Sequence, residues 1–395
     1  MWIQRDISSI LQRNLDPIQI IRGPRQCGKS SLLLHLDPEF KELSLDDPGL
    51  RQLAQNDPEL FLNQFASNKL FIDEAQYAPA LFPSLKRRVD LLKRDPKVTV
   101  QTIFRLTGSN QILMDRHVKE SLAGRASFFD MNTLSVSEIV GAIPTTKIQD
   151  IIYKGGWPEL HANPTLDIKK YLDNYINSYV EKDIILTSGI QKSMEFLKFV
   201  RLLAGRVGTI LDFSKLGNDV GVNSKTIKDW LSVLERMHII ALVPPFFSNL
   251  TNRLVKSPKV YFLDTGLACR LQGWTSAEPI LTSPQQGLLF ENLVFSEIFK
   301  LNINLELGWE IFHWRSRDGE EIDFLIKMDP KKFLFVEAKV SSLKVQNIRE
   351  YAEVKKVFQK NIPNLVVCHQ EGERILHQNV PISMLKDFLL MPELN

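Results

Sequence analysis

Gly23-Pro24-Arg25-Gln26-Cys27-Gly28-Lys29-Ser30 follows the apolar run Ile18-Gln19-Ile20-Ile21 and leads into a stretch, residues 30–36, with helical character. The octapeptide satisfies the pattern GxxxxGK(S/T) in full. Its glycines let the backbone curl so that successive N–H groups face phosphate oxygens, and Lys29 brings a point charge to the β- and γ-phosphates. The Ser30 hydroxyl can ligate Mg²⁺, and the helix that begins here adds the positive end of its dipole. A Gly-rich turn could match the pattern by chance. A strand before it and a helix after it are the context the motif requires, and both are present. Residues 23–31, ending at Ser31, are the candidate phosphate contacts.

Two further strand ends extend the site. The run 70–72 ends in Asp73-Glu74. Asp73 is placed to hold a Mg²⁺ shell through water, and Glu74 to orient or deprotonate an attacking water. The run 102–106 ends in Thr107-Gly108-Ser109-Asn110, where Ser109 or Asn110 can sense a γ-phosphate; a polar turn that merely closes the strand is the plainer alternative. Arg116 and Arg125 follow. Either can act across a subunit interface on transition-state charge, with Arg125 the candidate and an ordinary surface arginine the alternative. A fourth strand is expected over 126–131. Short strands alternating with helices predict an α/β domain over residues 1–140, a three-layer parallel sheet of P-loop NTPase type.

The composition fits more than one such domain. A chain of 395 residues predicts two to four domains, and 44% apolar with 24% charged residues is a globular profile. The 49 basic and 46 acidic residues nearly balance at +3, which excludes a coat of positive charge but not a local basic patch. Cys27, Cys269 and Cys368 lie far apart without a CxxC pair, as suits a reducing cytosol. The seven histidines form no HExxH motif. The N-terminus lacks a basic segment followed by an apolar one, and no long apolar run follows. The expectation is a cytoplasmic protein without a membrane segment.

Residues 141–205 read as a helical lid or connector, with Tyr171, Tyr175 and Tyr179 as a core stripe at i, i+4 spacing. Residues 206–275 read as helix, turn, longer helix and two strands, resembling a winged helix-turn-helix. Ser224 is expected to cap a helix over 225–237, and strands 239–243 and 259–263 to pair as a wing. Lys225, Lys228 and Arg236 offer contacts for DNA phosphates, whereas Asp229 and Glu235 share the helix. Two readings stand here: a DNA reader or a packing strut.

Residues 280–395 read as helix (288–300), strands (310–314, 321–326, 333–338), helix (345–358) and strand (364–368), an order that resembles PD-(D/E)xK nucleases. That resemblance implies a metal set of Glu291, Asp323 and Glu337, with Lys339 positioning a water. Ile322 stands where the name-giving proline would be. The alternative is a scaffold without the chemistry.

Taken in order, these motifs have a family resemblance. Gly-Pro-Arg-Gln-x-Gly-Lys-Ser, Asp-Glu-Ala-Gln-Tyr-Ala-Pro (73–79), Leu-Thr-Gly-Ser-Asn (106–110), Glu-Ser-Leu-Ala-Gly-Arg (120–125) and Gly-Gly-Trp-Pro-Glu (155–159) come first. Leu-Leu-Ala-Gly-Arg (202–206), Ser-Pro-Lys-Val-Tyr-Phe-Leu-Asp-Thr-Gly-Leu-Ala (257–268) and Phe-Glu-Asn (290–292) follow. Essentially the whole chain resembles the prokaryotic AAA-type ATPases that carry domain of unknown function 4143; Cys27, where such loops often have Val or Ser, is a mild departure. The resemblance implies ATP and Mg²⁺ as ligands and ATP hydrolysis through Lys29, Ser30, Asp73 and Glu74. The expected function is an ATPase that controls the attached winged-helix and nuclease-like modules, with DNA and further copies of the chain as partners. The rival readings are a nucleotide-switched interaction protein without DNA activity and an ATP-regulated, metal-dependent DNase.

Overall fold

The computed structural model describes residues 1–66, 69–94, 101–108, 122–246, 257–315, 320–340, 364–368 and 380–391. Ser109, Asn110, Arg116 and the helix expected over 345–358 lie outside the described residues. The chain divides into two units, Gln4–Asn132 and Thr133–Asn395 with Met1–Ile3.

The first unit is built on a five-stranded sheet of β1 (Ile18–Arg22), β2 (Phe40–Ser44), β3 (Lys69–Asp73), β4 (Phe104–Gly108) and β5 (Ala126–Asp130). Their spatial order is β2-β3-β4-β1-β5, and every pair is parallel. A parallel sheet covered on both faces requires apolar runs rather than alternation. Accordingly Ile18, Ile20, Ile21, Phe71, Ile72 and Leu106 are all buried. The edge strand β2 escaped the sequence reading because Phe-Lys-Glu-Leu-Ser buries only Phe40 and Leu43 and exposes Lys41 and Glu42. Strand β4 runs past its apolar residues, because Ile21 and Arg22 of β1 pair with Thr107 and Gly108. That extension brings the C-terminal ends of β1, β4 and β5 level: Arg22 pairs with both Gly108 and Asp130.

Helices cover this sheet and start where their caps dictate. Asp47 and Asp57 each precede a proline and accept a backbone N–H three residues on, from Leu50 at 2.8 Å and Leu60 at 2.9 Å. The helix Leu81–Arg94 buries Leu81, Phe82, Leu85 and Val89, one face at helical spacing. Burying each such side chain contributes about 2 kcal/mol. Inside β1 the buried Gln19 amide donates to the Leu11 and Asn14 carbonyls and accepts from Arg105 Nε at 3.0 Å, so no polar atom of that side chain is stranded.

The second unit combines helices, an antiparallel hairpin of β6 (Ile240–Val243) and β7 (Lys259–Phe262), and a second five-stranded sheet. That sheet comprises β8 (Glu310–Arg315), β9 (Glu321–Asp329), β10 (Lys332–Lys339), β11 (Asn364–Cys368) and β12 (Val380–Pro381), in spatial order β12-β11-β10-β9-β8. β8, β9 and β10 are antiparallel, and β10, β11 and β12 are parallel. The helix Gln286–Asn304 is buried on all sides from Leu289 to Ile298, the pattern of a central helix. Its Asn292 amide accepts from Phe262 N at 2.8 Å and donates to Phe262 O at 2.9 Å, so the helix closes the outer edge of β7.

The tyrosine stripe is core: Tyr175 and Tyr179 are buried, and the Tyr175 ring lies 4.3 Å from that of Trp157. The cap before Ser224–Arg236 is Asn223, not Ser224. Asn223 has extended backbone angles, and its side chain accepts from Thr226 N at 2.8 Å. Asp264 joins two of the family's motifs, accepting from Gly156 N at 2.8 Å and from Leu267 N at 3.1 Å. A Cβ at Gly155 would stand 2.0 Å from the Asp264 carboxylate, which explains the glycine. Among the described residues no helix is long and apolar enough to cross a membrane.

Candidate nucleotide site

The loop between β1 and the helix Lys29–Leu36 curls through left-handed backbone at Gln26 (φ 61°) and Gly28 (φ 94°). Such alternation aims successive N–H groups into one concavity. Gly23 is required for a different reason: a Cβ there would meet the Met131 carbonyl oxygen at 2.0 Å. Cys27 is wholly buried and its thiol donates to that same carbonyl at 3.7 Å, so the sulfur packs the loop against the end of β5. Arg5 braces the loop from beneath. Its buried guanidinium donates to Cys27 O at 2.9 Å and Asn132 O at 2.7 Å. Nothing in the local sequence around Arg5 signals this.

Lys29 Nζ donates to the carbonyls of Gly23 at 3.0 Å and Pro24 at 2.8 Å. The Ser30 hydroxyl donates to Asp73 Oδ1 at 2.9 Å. Thr107, buried at the end of β4, donates its hydroxyl to the same Asp73 oxygen and accepts from Glu74 N at 3.3 Å. The sequence reading missed Thr107 because it ended the strand at Leu106. Glu74 holds a left-handed backbone (φ 55°), rare without a glycine and costing about 1 kcal/mol. The buried Gln76 amide donates to its carboxylate. Ser30, Asp73, Thr107 and Glu74 thus form one hydrogen-bonded chain at the C-terminal edge of the sheet. Hydroxyl and carboxylate oxygens side by side are the donor set a hard cation takes, and the concave loop beside them suits a polyphosphate, so the residues fit a Mg²⁺-nucleotide. Arg25 is half-buried, with Nη2 3.5 Å from the Tyr77 hydroxyl; Gln26 and Ser31 are exposed.

Arg125 stands elsewhere. It precedes Ala126, which pairs with Ile18 at the start of β1, whereas the phosphate loop follows the end of β1. The strand between spans about 13 Å, so Arg125 does not reach the loop of its own chain. It forms a two-pronged pair with Asp90, through Nε at 2.7 Å and Nη2 at 3.1 Å. That hydrogen bond holds the Asp90 carboxyl below its ordinary range.

In the second unit Asp323 on β9 accepts from Ala338 N at 2.8 Å, and Lys339 Nζ lies 2.7 Å from Glu337 and 3.6 Å from Asp323. Glu291, close to Asp323, has other partners as well. It takes Lys259 Nζ at 3.1 Å and the Tyr261 hydroxyl. Among the described residues no three His, Cys, Asp or Glu side chains are gathered to hold a metal ion. The acids expected to coordinate a metal are answered by lysines, so the set as it stands does not fit one.

Residues 15–140 match the family model of an AAA domain, residues 145–278 that of domain of unknown function 8612, and residues 286–385 that of domain of unknown function 4143. Uncharacterized proteins of Mycobacterium bovis and Mycobacterium tuberculosis are each 26% identical over 336 residues, spanning 84% of this chain and 73% of theirs. Among solved structures, the Walker-type ATPase of Pyrococcus abyssi is 15% identical, with a TM-score of 0.38 over 68% of this chain and 93% of that one. The phosphate loop on its parallel sheet agrees with the first of these matches: the chain carries an AAA-type P-loop domain and, further on, domain of unknown function 4143.

Proposed function

We propose that this protein is a Mg²⁺-dependent ATPase whose nucleotide state controls its second unit. The observation that carries the reading is the hydrogen-bonded chain Ser30–Asp73–Thr107–Glu74 beside the phosphate loop. Ser30 and Asp73 would hold Mg²⁺, which when bound neutralises charge on the phosphate oxygens. Lys29 would leave its two loop carbonyls for the β- and γ-phosphates. Glu74 would take a proton from water as the water oxygen bonds to the γ-phosphorus and the bond to the bridging oxygen breaks. Gln76 holds that carboxylate, and Thr107 holds the backbone N–H of the same residue. Gln26, Cys27 and Gly28 offer backbone N–H groups, while Ser109 and Asn110 remain the proposed γ-phosphate sensors. Arg125, remote from its own loop, acts in this reading on the nucleotide of a second copy. Replacing Glu74 by Gln should leave ATP binding intact and slow turnover by on the order of 10²-fold or more. Full turnover in that variant would sink the hydrolytic assignment.

The second unit supports action on nucleic acid through one face of the helix Ser224–Arg236. Lys225, Lys228, Ser232 and Arg236 are exposed along it, while Glu235 turns inward and accepts from Leu242 N at 3.1 Å. Of the two acids on this helix, only Asp229 shares the basic face. We therefore read Phe213–Val220, Ser224–Arg236 and the hairpin β6–β7 as a winged helix that touches DNA phosphates. We read the mixed sheet with its central helix as a PD-(D/E)xK-like scaffold. ATPase rates with and without duplex DNA, beside a salt titration of DNA binding, decide this part. No DNA effect on turnover, and no salt-sensitive binding, would favour a nucleotide-switched interaction protein instead.

A further inference from the structure

The expected metal pocket of the second unit contains four carboxyl groups and two ammonium groups. Glu291 comes from the central helix, Glu321 and Asp323 from β9, and Glu337 from β10. Lys259 comes from β7 and Lys339 from β10. Lys259 Nζ lies 3.1 Å from Glu291 and 2.8 Å from Glu321, so it bridges carboxylates of two elements while reaching in from a third. Its side chain is 4% exposed. A divalent ion at Glu291 would have to displace this ammonium from one of its two carboxylates and set a second positive charge beside it in a buried site, where an uncompensated charge is severely disfavoured.

We infer that Lys259 is the resident cation of this pocket, a covalently tethered counter-ion in the place of a divalent metal, and that it fastens the hairpin β6–β7 to the central helix and β9. Independent contacts run along the same seam. The Tyr261 ring stacks on Phe295 at 4.5 Å and its hydroxyl donates to Glu291, while Ser296 donates to Leu263 O at 2.9 Å. The isolated bridge Pro245–His313 and the bond from Phe246 N to His313 O at 2.8 Å join the hairpin's neighbouring segment to β8. The hairpin is therefore a fixed member of the mixed sheet's core. On this assignment the pocket is a latch, and the domain works by holding and presenting surfaces rather than by cutting. The inference stands independently of the ATPase reading, since no residue of the nucleotide site enters it.

The test uses the full chain without nucleotide. Mn²⁺ binding is followed by electron paramagnetic resonance, and thermal unfolding is measured for the native protein, Lys259→Met, and Lys259→Met with Glu291→Gln. The native protein should leave millimolar Mn²⁺ free in solution and melt at the same temperature with or without it. Lys259→Met should melt roughly 10 °C lower, because buried carboxylates lose their partner. The double variant should regain most of that loss, because both partners are then neutral. Mn²⁺ bound by the native protein and released by Asp323→Asn would overturn the inference. So would a Lys259→Met protein that melts no earlier than the native one, or a double variant no more stable than the single. Should the single variant fail to fold, the double variant and the Mn²⁺ measurement on the native chain still decide.

Discussion

Lys29 and Lys259 are 6% and 3% exposed, yet their partners differ in kind. Lys29 donates to two neutral carbonyls of its own loop. Lys259 sits against two carboxylates from separate elements. Neutral acceptors satisfy the donor without cancelling its charge, which the proposed function directs to an incoming phosphate. Carboxylates cancel the charge, and the low-dielectric surroundings make the pair hard to part. Burial alone therefore does not distinguish a working lysine from a structural one. The charge of what it touches does.

The sharpest way to break this comparison is to make the same change at both positions. Lys29→Met should weaken ATP binding by about 100-fold or more, as loss of a charge-assisted phosphate contact implies, and shift melting by only ~2 °C. Lys259→Met should do the reverse: a large loss of melting temperature with ATP affinity unchanged. Isothermal titration and calorimetry on the two variants check this, and equal effects on both readouts would erase the distinction. Thr107→Val comes next. It removes the hydroxyl shared by Asp73 and the Glu74 backbone, which should slow turnover about tenfold while ATP affinity changes little. An unaltered rate would show that Glu74 needs no such support.

The smallest expected effect is a slope with pH. Glu291 faces Lys259 and Tyr261 from β7 and Asp323 from β9, and its charge also acts on Lys339 of β10. Its folded-state pKa lies above the unfolded one. The folded chain therefore holds that proton more tightly, and the resulting stability is complete below the unfolded pKa and lost as pH rises through about 7. Melting of the native protein should carry this downward slope between pH 5 and 8 (roughly the span of the two pKa values), and Glu291→Gln should flatten it. An identical slope in both proteins would mean another group is titrating.

The loop and strand end that make the candidate nucleotide site are largely legible in the chain. Gly23, Gly28, Lys29 and Ser30 lie within eight residues, and Asp73-Glu74 closes an apolar run. These features act through local backbone geometry, and they emerged where the sequence placed them. The strands of the parallel sheet were legible for the same reason, save β2, whose exposed Lys41 and Glu42 hide an edge strand. The middle and last parts were legible as elements but not as partners. By sequence the hairpin is a wing; that Asn292, thirty residues on from Phe262, closes its edge is not visible there. The resemblance makes Glu291 a metal ligand; that Lys259, thirty-two residues before it, meets its carboxylate is not visible in the sequence.

The sequence by itself determined the phosphate loop, the acidic strand end and the α/β class, because each depends on neighbours within a few positions along the chain. Only the tertiary structure decided that Arg5 braces the loop, that Thr107 couples Asp73 to Glu74, that Arg125 is remote from its own loop, and that Lys259 neutralises Glu291. These are questions of which charge or hydroxyl lies opposite another after packing, and a buried polar group takes its role from the partner that satisfies it.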